Sequence, residues 1–408
     1  MSIQGIRHTE NFVTDERPKN WREGILKLEP NGMAPLTGLT SGLKNESTND
    51  PEFNWWTKSL ERERFEVTVN VTAGITNIGV ASGAQKVVKN HLLQFEETGE
   101  IVRVTSDPSS NTSISVARGA AGTSAQAFDP TTTTGANPNL LIVGTSFEEG
   151  ADVPTGLNFD PVKLYNFTQI FRNSIEATRT AMKTRLRTGD QVKEAKREAL
   201  QYHSIQMEKA WFFGSRSEGT QNGKPVRTTG GIDYWINNHA SQNVRNQDGA
   251  ATDMEQLEEW LHDMFRFGST EKMAFAGSRA LLTIQQIIRK NADYQLSQSQ
   301  KEFGMNVTRL VSPFGTVVLK THPLFNYSPG GSNNAGNYFG YNSSMYVLDM
   351  GNLRYRYLED SDTKYLPDRQ ANGIDGMTSE YLTEAGLELH HPETFFIIHG
   401  LTSAKADS

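Results

Sequence analysis

The stretch that decides the fold is KLYNFTQIFRNSIEATRTAMKTRLRTG, residues 163–189, followed by DQVKEAKREALQYHSIQMEKAWFFG, residues 190–214. The second half is predicted to form one long helix that starts at Asp190 as N-cap and ends at Gly214 as a left-handed cap residue. The first half is rich in aromatic and β-branched residues and favours a strand that leads into a short helical segment. An extended strand followed by one long helix indicates a structural frame and suggests no active site.

Apolar residues recur at helical spacing along this predicted helix, and charged residues lie between them. The apolar ones form two stripes that are expected to be buried, Val192, Ala195, Ala199 and Tyr202 in one and Leu200, Met207 and Trp211 in the other. The charged ones are expected to face solvent or another subunit, namely Glu194, Lys196, Arg197, Glu198, Glu208 and Lys209. A basic cluster precedes the helix and is predicted to make salt bridges between subunits, namely Arg179, Lys183, Arg185 and Arg187.

The composition excludes several classes of protein. The 408 residues include no Cys, so disulfides, thiolate metal sites and cysteine nucleophiles are excluded. The formal net charge of -7 argues against a free-standing nucleic-acid-binding protein, which usually carries a basic surface. The first residues lack the apolar core of a signal peptide, and no apolar run approaches membrane-spanning length. We therefore expect a protein that is made in a cytoplasm.

Two irregular or extended segments precede the long helix. Residues 1 to about 50 are rich in turn and proline signals, and they are predicted to be an arm that lies on another surface through residues such as Trp21. Residues 51–67 have the aromatic pattern of a strand. Trp55 and Trp56 are adjacent, so a strand points them to opposite faces, and one would be exposed unless another chain covers it. Burial of both in one core remains an equal alternative.

A separate β-rich domain is predicted between residues 67 and 147. Short runs of alternating residues, divided by turn-rich pieces, indicate a small β-barrel or sandwich. Within it, VARGAAGT, residues 116–123, carries Gly119 and Gly122 at positions that suit backbone turns. The Lys-Ser/Thr ending of a phosphate-binding loop is absent, so the motif is predicted to be structural.

The remainder of the chain is predicted to be a mixed α/β region that returns as strands. Residues 216–231 are expected to be a loop, and residues 252–268 and 278–290 to be helices. A hairpin is expected at residues 307–325, and further strands at residues 344–360 and 379–401.

Several segments, taken in order, carry a resemblance to a known family. They are PNGMAPLTGLTSGL, DPEFNWW, KLYNFTQIFRNSIEATRTA, MEKAWFFG, GGIDYWI, VTRLVSPFGTVVLKTHPLF and EYLTEAGLELHHPETFFIIHGL. Along nearly its whole length the chain resembles the major capsid proteins of tailed bacteriophages with the HK97-like fold. The resemblance implies an α+β fold made of an N-terminal arm, an extended loop, a peripheral domain with a long spine helix, and an axial domain, with the small β domain as an insertion.

The resemblance also implies a division of the chain. Its parts are the arm at 1–50, the extended loop at 51–66 and 147–166, the inserted β domain at 67–146, the peripheral domain at 167–229 and 341–408 with the spine helix at 190–213, and the axial domain at 230–340. The strands near Met345–Leu358 and Tyr381–Leu401 would complete the sheet of the peripheral domain.

The implied function is structural. Pentamers and hexamers of the chain would assemble into an icosahedral head, in the host cytoplasm, around the double-stranded DNA of a tailed phage. Implied partners are further copies of the chain, a portal, a scaffold or decoration protein and non-specifically contacted DNA, with no membrane and no cofactor. A tail or baseplate protein is the alternative, because the β-rich module also occurs there. An enzyme is the third class, and it would need a carboxylate pair or triad that the sequence does not present.

The sequence offers no catalytic, cofactor-binding or metal-binding residue. His390 and His391 would face apart in a strand, which is unfavourable for one metal site. An acidic group is expected to be a solvated face more than a hard-cation site between subunits, and it comprises Asp349, Glu359, Asp360, Asp362, Asp368 and Asp375. The predicted inter-subunit contacts are Trp21, Trp55, Trp56, Lys58, Arg179, Arg185 and Arg187. Lys58 is the one lysine considered for a Lys–Asn cross-link, and we expect none to form.

Overall fold

The computed structural model describes residues 34–40, 45–58, 64–127, 129–130, 139–184, 190–247, 250–290, 300–302, 305–326 and 341–403. The chain divides into two compact units, one of Met1–Trp55 with Leu164–Ser408 and one of Trp56–Lys163. Three residues predicted to contact other subunits lie outside the described residues, namely Trp21, Arg185 and Arg187. Residues 1–33 of the predicted arm also lie outside them.

The described residues contain seven α-helices. They are α1 (Pro35–Thr40), α2 (Arg179–Lys183), α3 (Gln191–Phe213), α4 (Ile232–His239), α5 (Met254–Met264), α6 (Ser278–Lys290) and α7 (Pro323–Asn326). The first ten strands are β1 (Asn45–Thr48), β2 (Glu52–Thr57), β3 (Arg64–Glu66), β4 (Asn77–Gly79), β5 (His91–Phe95), β6 (Ile101–Val104), β7 (Ser113–Ala117), β8 (Asn139–Thr145), β9 (Val162–Phe167) and β10 (Gln169–Thr178).

The later strands complete the count. They are β11 (Ser217–Gln221), β12 (Lys224–Thr228), β13 (Val244–Asn246), β14 (Glu271–Ala276), β15 (Gln300–Glu302), β16 (Met305–Ser312), β17 (Gly315–Thr321), β18 (Met345–Leu348), β19 (Leu353–Leu358), β20 (Lys364–Leu366), β21 (Gly376–Leu389) and β22 (Phe396–His399).

The long helix α3 begins where the sequence predicted. The Asp190 side chain accepts hydrogen bonds from the amides of Val192 at 3.0 Å and Lys193 at 3.4 Å, so it caps two donors that the first turn leaves unpaired. The helix ends at Phe213, but the left-handed conformation predicted for Gly214 is wrong, since its φ is -59°. Glycine is required there for space, because a Cβ would lie 2.5 Å from the Ala210 carbonyl oxygen.

The two apolar stripes predicted on α3 are only partly correct. Leu200 is exposed, and Tyr202 is 63% exposed. The buried side chains lie in the second half of the helix and are His203, Met207, Glu208, Trp211 and Phe212. This second half packs on the sheet that contains β10 and β21, where the Trp211 ring lies 5.7 Å from that of Phe171 on β10. In the first half, Lys196 Nζ lies 4.4 Å from the centre of the Tyr365 ring on β20, which belongs to the same sheet. Helical spacing alone could not indicate which half of the helix carries the buried side chains.

The sheet beneath α3 has the strand order β1-β19-β21-β10, with β20 also paired to β21. Strand β1 runs parallel to β19, and the other pairs are antiparallel. The pairing of β10 with β21 extends over ten residues, from Gln169 opposite Ala385 to Thr178 opposite Gly376. Strand β10 therefore joins the long helix, which follows it in sequence, to a strand about two hundred residues further on.

A second sheet has the order β13-β22-β18-β14-β17-β16-β15. Strands β18 and β22 were predicted to complete the first sheet, and this prediction is wrong: both pair in the second sheet, and only β19 and β21 pair in the first. All four residues of β18 are buried, which suits a central strand covered on both faces. Helices α5 and α6 pack on this sheet through a second core, which includes Trp260, Ile284 and Ile287.

The unit Trp56–Lys163 contains an all-antiparallel sheet with the order β3-β8-β5-β6-β7-β4. An antiparallel bridge between Val67 and Val80 joins its two edge strands, so the sheet closes into a small barrel. Its interior is filled by residues such as Phe65, Phe95 and Ile114. The predicted α+β class with an inserted small β-barrel is confirmed.

Residues 216–231, predicted to be a loop, contain instead the antiparallel hairpin β11–β12. Its turn is Asn222-Gly223, and both residues have positive φ, 52° and 72°. An Asn-Gly pair between two extended runs is the strongest short-range signal for such a hairpin. The prediction failed because the flanking residues are mostly polar and show no apolar alternation.

We predict that Gly214→Ala destabilises the protein by about 1–3 kcal/mol, because the new Cβ would collide with backbone atoms that cannot move independently. Gly219→Ala is the matched control, since nothing lies within 4 Å of its Cβ position. It should be neutral or stabilise by about 0.4–1 kcal/mol through the unfolded chain. Chemical denaturation of both variants measures this, and equal effects would refute the steric explanation.

Candidate assembly surface

Strand β2 separates two adjacent tryptophans as predicted. Trp55 is 6% exposed, with its ring 5.2 Å from that of Trp235, whereas Trp56 is 65% exposed. Because the surface of Trp55 is used within its own chain, its predicted inter-subunit role is corrected to a role in the core. Trp56 remains available, and an exposed indole costs free energy in water that contact with another chain can recover.

The charged residues predicted at subunit contacts are exposed where the structure describes them. Lys58 follows β2 and is exposed. Arg179 begins α2, and its Nε lies 3.2 Å from the Asp375 carboxylate of the same chain. Both partners are largely exposed, so this ion pair is weak and leaves the guanidinium accessible.

Glu208 is the most consequential site residue that sequence reasoning misplaced. The sequence predicts that it faces solvent or another subunit, but it is fully buried. Its Oε1 accepts from the Leu36 amide at 2.8 Å, and its Oε2 accepts from both the amide and the hydroxyl of Thr37 at 2.6 Å. His322 directly follows β17, and its Nε2 lies 2.8 Å from Glu208 Oε1. One carboxylate thus fastens the short helix α1 and the end of β17 to the long helix.

A signal for this anchor was present in the sequence. Glu208 lies three and four residues before Trp211 and Phe212, so it shares their helix face. A carboxylate on an apolar helix face must find donors if the face is buried. The donors themselves come from distant segments and could not be named.

Two further buried polar residues fix the frame. His203 on α3 has Nδ1 2.7 Å from Asn173 Oδ1 and Nε2 2.7 Å from Thr383 Oγ1, so it bridges the helix to β10 and β21. Burial lowers the pKa of this imidazole below its ordinary value, which favours the neutral ring. Asn166 on β9 donates to Thr229, Gly230 and Leu387 and is also fully buried.

A buried lysine closes the end of α5. Lys272 Nζ donates to the carbonyl oxygens of Met264, Phe267 and Thr394 at 2.6–2.8 Å. Burial lowers the pKa of Lys272 to about 8, although the nearby Asp349 carboxylate raises it. The Lys272 amine donates to three backbone carbonyl groups, so its role is structural.

The acidic residues predicted as a solvated face divide into two kinds. Glu359, Asp360, Asp362, Asp368 and Asp375 are exposed. Asp349 is buried, and this part of the prediction is wrong: its carboxylate accepts from the amides of Ser269 and Gly351 and from the side chain of Asn352. In the described part of the chain, no three acidic or histidine side chains are grouped to hold a metal.

His390 and His391 occupy different environments. His390 Nε2 is bonded to the buried Glu388 carboxylate, whereas His391 adopts a left-handed backbone at φ 49°. Burial raises the pKa of Glu388, but bonds from His390 and Arg356 outweigh it and lower the pKa below its ordinary value. Arg356 also lies 2.6 Å from Glu46, so this ionic network fastens the early strand β1 to the sheet.

The VARGAAGT motif of the inserted barrel is a structural turn. Gly119 and Gly122 have positive φ, 64° and 78°. Arg118 is not available to a phosphate, because its guanidinium makes a two-pronged, buried pair with Glu100 at 2.7 and 2.5 Å. Burial raises the pKa of Glu100, but bonds from Arg118 and from the Gln126 and Gly119 amides lower it below its ordinary value.

Comparisons with known proteins agree over nearly the whole chain. A family model described as SU10 major capsid protein matches residues 6–402. The major capsid protein of Pseudomonas phage PaMx41 is 27% identical over 425 residues, which cover 98% of this chain and 96% of that protein. No helix in the described part of the chain is both long and apolar enough to span a membrane.

Solved structures similar to the chain include two capsids. The asymmetric unit of the cyanophage A-1(L) capsid has 10% identity and a TM-score of 0.47, with 97% of this chain and 98% of that chain covered. The capsid of an empty GTA particle has 8% identity and a TM-score of 0.47, with 95% of this chain and 96% of that chain covered.

We predict that Glu208→Ala destabilises the protein by about 2–4 kcal/mol, because several buried donors lose their acceptor. Hydrogen exchange at the Leu36 and Thr37 amides should accelerate more than elsewhere. Glu198→Ala, on the exposed part of the same helix, is the control and should change stability by less than about 0.5 kcal/mol. Equal effects of the two substitutions would contradict the anchoring role.

The lowered pKa of Glu100 predicts an acid-sensitive barrel. Its folded pKa lies below the ordinary 4.5, so its stabilising contribution is present above that value and is lost as pH falls through the folded pKa. Exchange protection of β6 and β7 in the full chain, corrected for intrinsic rates, should therefore drop on acidification. Glu100→Gln should flatten this drop, and Glu66→Gln, at an exposed position, should not. An unchanged profile in Glu100→Gln would contradict the assignment.

Proposed function

Because the chain belongs to the SU10 major capsid protein family and is a structural protein of a phage capsid, we propose that its copies assemble as pentamers and hexamers into the icosahedral head of a tailed phage. The head would enclose the double-stranded DNA genome. The observation that carries this proposal is the family match over residues 6–402, which includes both compact units. The chain would contribute geometry and contacts, and no enzymatic step.

The proposed assembly assigns a task to each part of the chain. Residues 1–50 would lie along neighbouring copies, and the extended loop, residues 51–66 and 147–166, would cross onto an adjacent subunit. Residues 230–340 would cluster around the five- and six-fold axes. The inserted barrel would face outwards and take the place of a separate decoration protein. The buried anchors support this division of tasks, because docking segments need a rigid frame from which to project.

Exposed apolar side chains near the ends of the extended loop would supply a driving force for assembly of the shell. Trp56, Val153 and Val162 are all exposed within the unit Trp56–Lys163. Covering such side chains removes apolar surface from water, at about 25 cal/mol per Å². Each contact is modest, but a closed shell repeats it in every copy, so many weak contacts add to a stable particle.

The charge of the chain suits a wall around DNA. A net charge of -7 disfavours tight adhesion to packaged nucleic acid, so DNA contacts would be few and non-specific. Assembly would take place in the host cytoplasm. A portal, and a scaffold where one exists, would be the further protein partners.

Electron microscopy of the expressed chain, with and without a candidate scaffold, tests the proposal. Closed shells, or flower-like hexamers and pentamers, are the expected result. Tubes or stacked rings would favour the alternative, a tail or baseplate component. A dispersed monomer at high concentration, with scaffold present, would overturn the proposal.

The two adjacent tryptophans provide a matched pair of variants. Trp56→Ala should leave the melting temperature of the free subunit within a few degrees of the native value, because the side chain is exposed, and should lower particle yield. Trp55→Ala should instead lower the melting temperature, since truncation of a buried Trp costs about 3–5 kcal/mol. A particle yield unaffected by Trp56→Ala would remove this residue from the assembly surface.

A further inference from the structure

The hairpin β11–β12 projects from the frame without a core of its own. Every residue from Ser217 to Val226 is exposed, and the two strands bury none of their side chains. A two-stranded hairpin is marginally stable in water by itself. An ordered element of this kind gains most from a third strand, which would pair with backbone groups that the hairpin leaves unpaired.

The base of the hairpin is firmly held. The Thr228 hydroxyl donates to the Ser215 carbonyl oxygen at 2.7 Å. The Arg216 guanidinium donates to the Tyr165 carbonyl oxygen at 2.8 Å and lies 4.0 Å from the centre of the Tyr165 ring. Thr229, the next residue, accepts from the buried Asn166 at 3.1 Å. The hairpin is therefore presented in a fixed direction, which lowers the entropy that docking would cost.

The turn determines which backbone groups point outwards. Positive φ at Asn222 and Gly223 defines a two-residue type I′ turn, and Gln221 faces Lys224 across it. The residues that flank such a turn exchange hydrogen bonds, and bonded and non-bonded pairs then alternate along the ladder. Pairs 220–225 and 218–227 are consequently non-bonded, and their backbone groups point away from the hairpin.

The two outer edges of the hairpin differ. On β12, Pro225 has no N–H to offer, and the neighbouring positions carry Lys224 and Arg227. Proline and basic residues are the usual means by which proteins block strand pairing at an edge. On β11, the amides of Glu218 and Thr220 point outwards and flank Gly219, which has no side chain. The β11 edge is the open one.

We propose that β11 of one copy pairs antiparallel with β11 of a second copy across a two-fold axis, which joins two hairpins into a four-stranded sheet. The segment Ser217–Gln221 is complementary to itself when it is centred on Gly219. Glu218 then faces the partner subunit's Thr220, so no like charges oppose each other. The Glu218 carboxylate is already paired with Arg227 at 2.9 Å within its own hairpin. An isologous contact of this kind closes on itself and cannot propagate into a filament.

This pairing rests on the proposed shell, because contact through five residues is too small to hold two free subunits together. Stable interfaces bury about 1,200–2,000 Å² in total. A shell that brings the same surfaces together through other contacts supplies the missing stability. We therefore expect the paired hairpins in assembled particles and not in dilute subunits.

The absence of cysteine from the chain makes a direct test simple. In Gly219→Cys, the two thiols would meet in a non-bonded antiparallel pair, where Cα atoms are about 4.5 Å apart, within the range that a disulfide spans. Space for the side chain exists, since nothing lies within 4 Å of the Cβ position. Mild oxidation of particles should yield about tenfold more covalent dimer than oxidation of free subunits. Val226→Cys, on the blocked strand, is the control and should not form dimers.

The outcomes separate this proposal from the shell itself. Particles of Gly219→Cys that yield no more dimer than Val226→Cys would overturn the hairpin pairing and leave the capsid function intact. Failure of the native chain to form particles under any condition would overturn the proposed function. If only Gly219→Cys fails to assemble, hydrogen exchange of residues 217–221 in native particles decides. Slow exchange relative to free subunits supports strand pairing, and equal exchange refutes it.

Discussion

The structure depends on the burial of one carboxylate. Glu208 is fully buried in the second half of the long helix and binds donors from α1 and from the end of β17. A buried carboxyl group needs hydrogen-bond partners, so displacement of either segment would remove at least one of its partners. With His203, which ties the same helix to β10 and β21, it makes the helix a common support for segments from across the compact unit of Met1–Trp55 and Leu164–Ser408.

The inserted barrel is held together by contacts of its own. A bridge between Val67 and Val80 joins the two edge strands of its six-stranded sheet, and its core is made of apolar side chains. A buried ion pair, Glu100 with Arg118, fastens a turn that two glycines shape. A motif that could suggest ligand binding is thus explained by structure, because Glu100 already accepts hydrogen bonds from the Arg118 guanidinium and the Gly119 amide.

The buried polar anchors Glu208, His203 and Glu100 are hydrogen-bonded, and several large apolar side chains remain exposed. Trp56, Val153 and Val162 are among them. Contact with further copies, as in the proposed shell, would remove this apolar surface from water. Function then follows from which surfaces meet, and the exposed residues and strand edges are where this is decided.

Local patterns determined much of the structure. Interactions among near neighbours in sequence determine several features, and each of these could be predicted. They are the N-cap at Asp190, the extent of the long helix, the opposed faces of Trp55 and Trp56, and the β-rich insertion. Tertiary structure alone decided that β18 and β22 join the second sheet, that the buried side chains of the long helix lie in its second half, and that Glu208 is an anchor. Glu208 and Leu36 are 172 positions apart, and contacts over such separations leave no local period. The sequence therefore specifies its elements, whereas the packing of distant segments decides which charges are buried and which surfaces remain free.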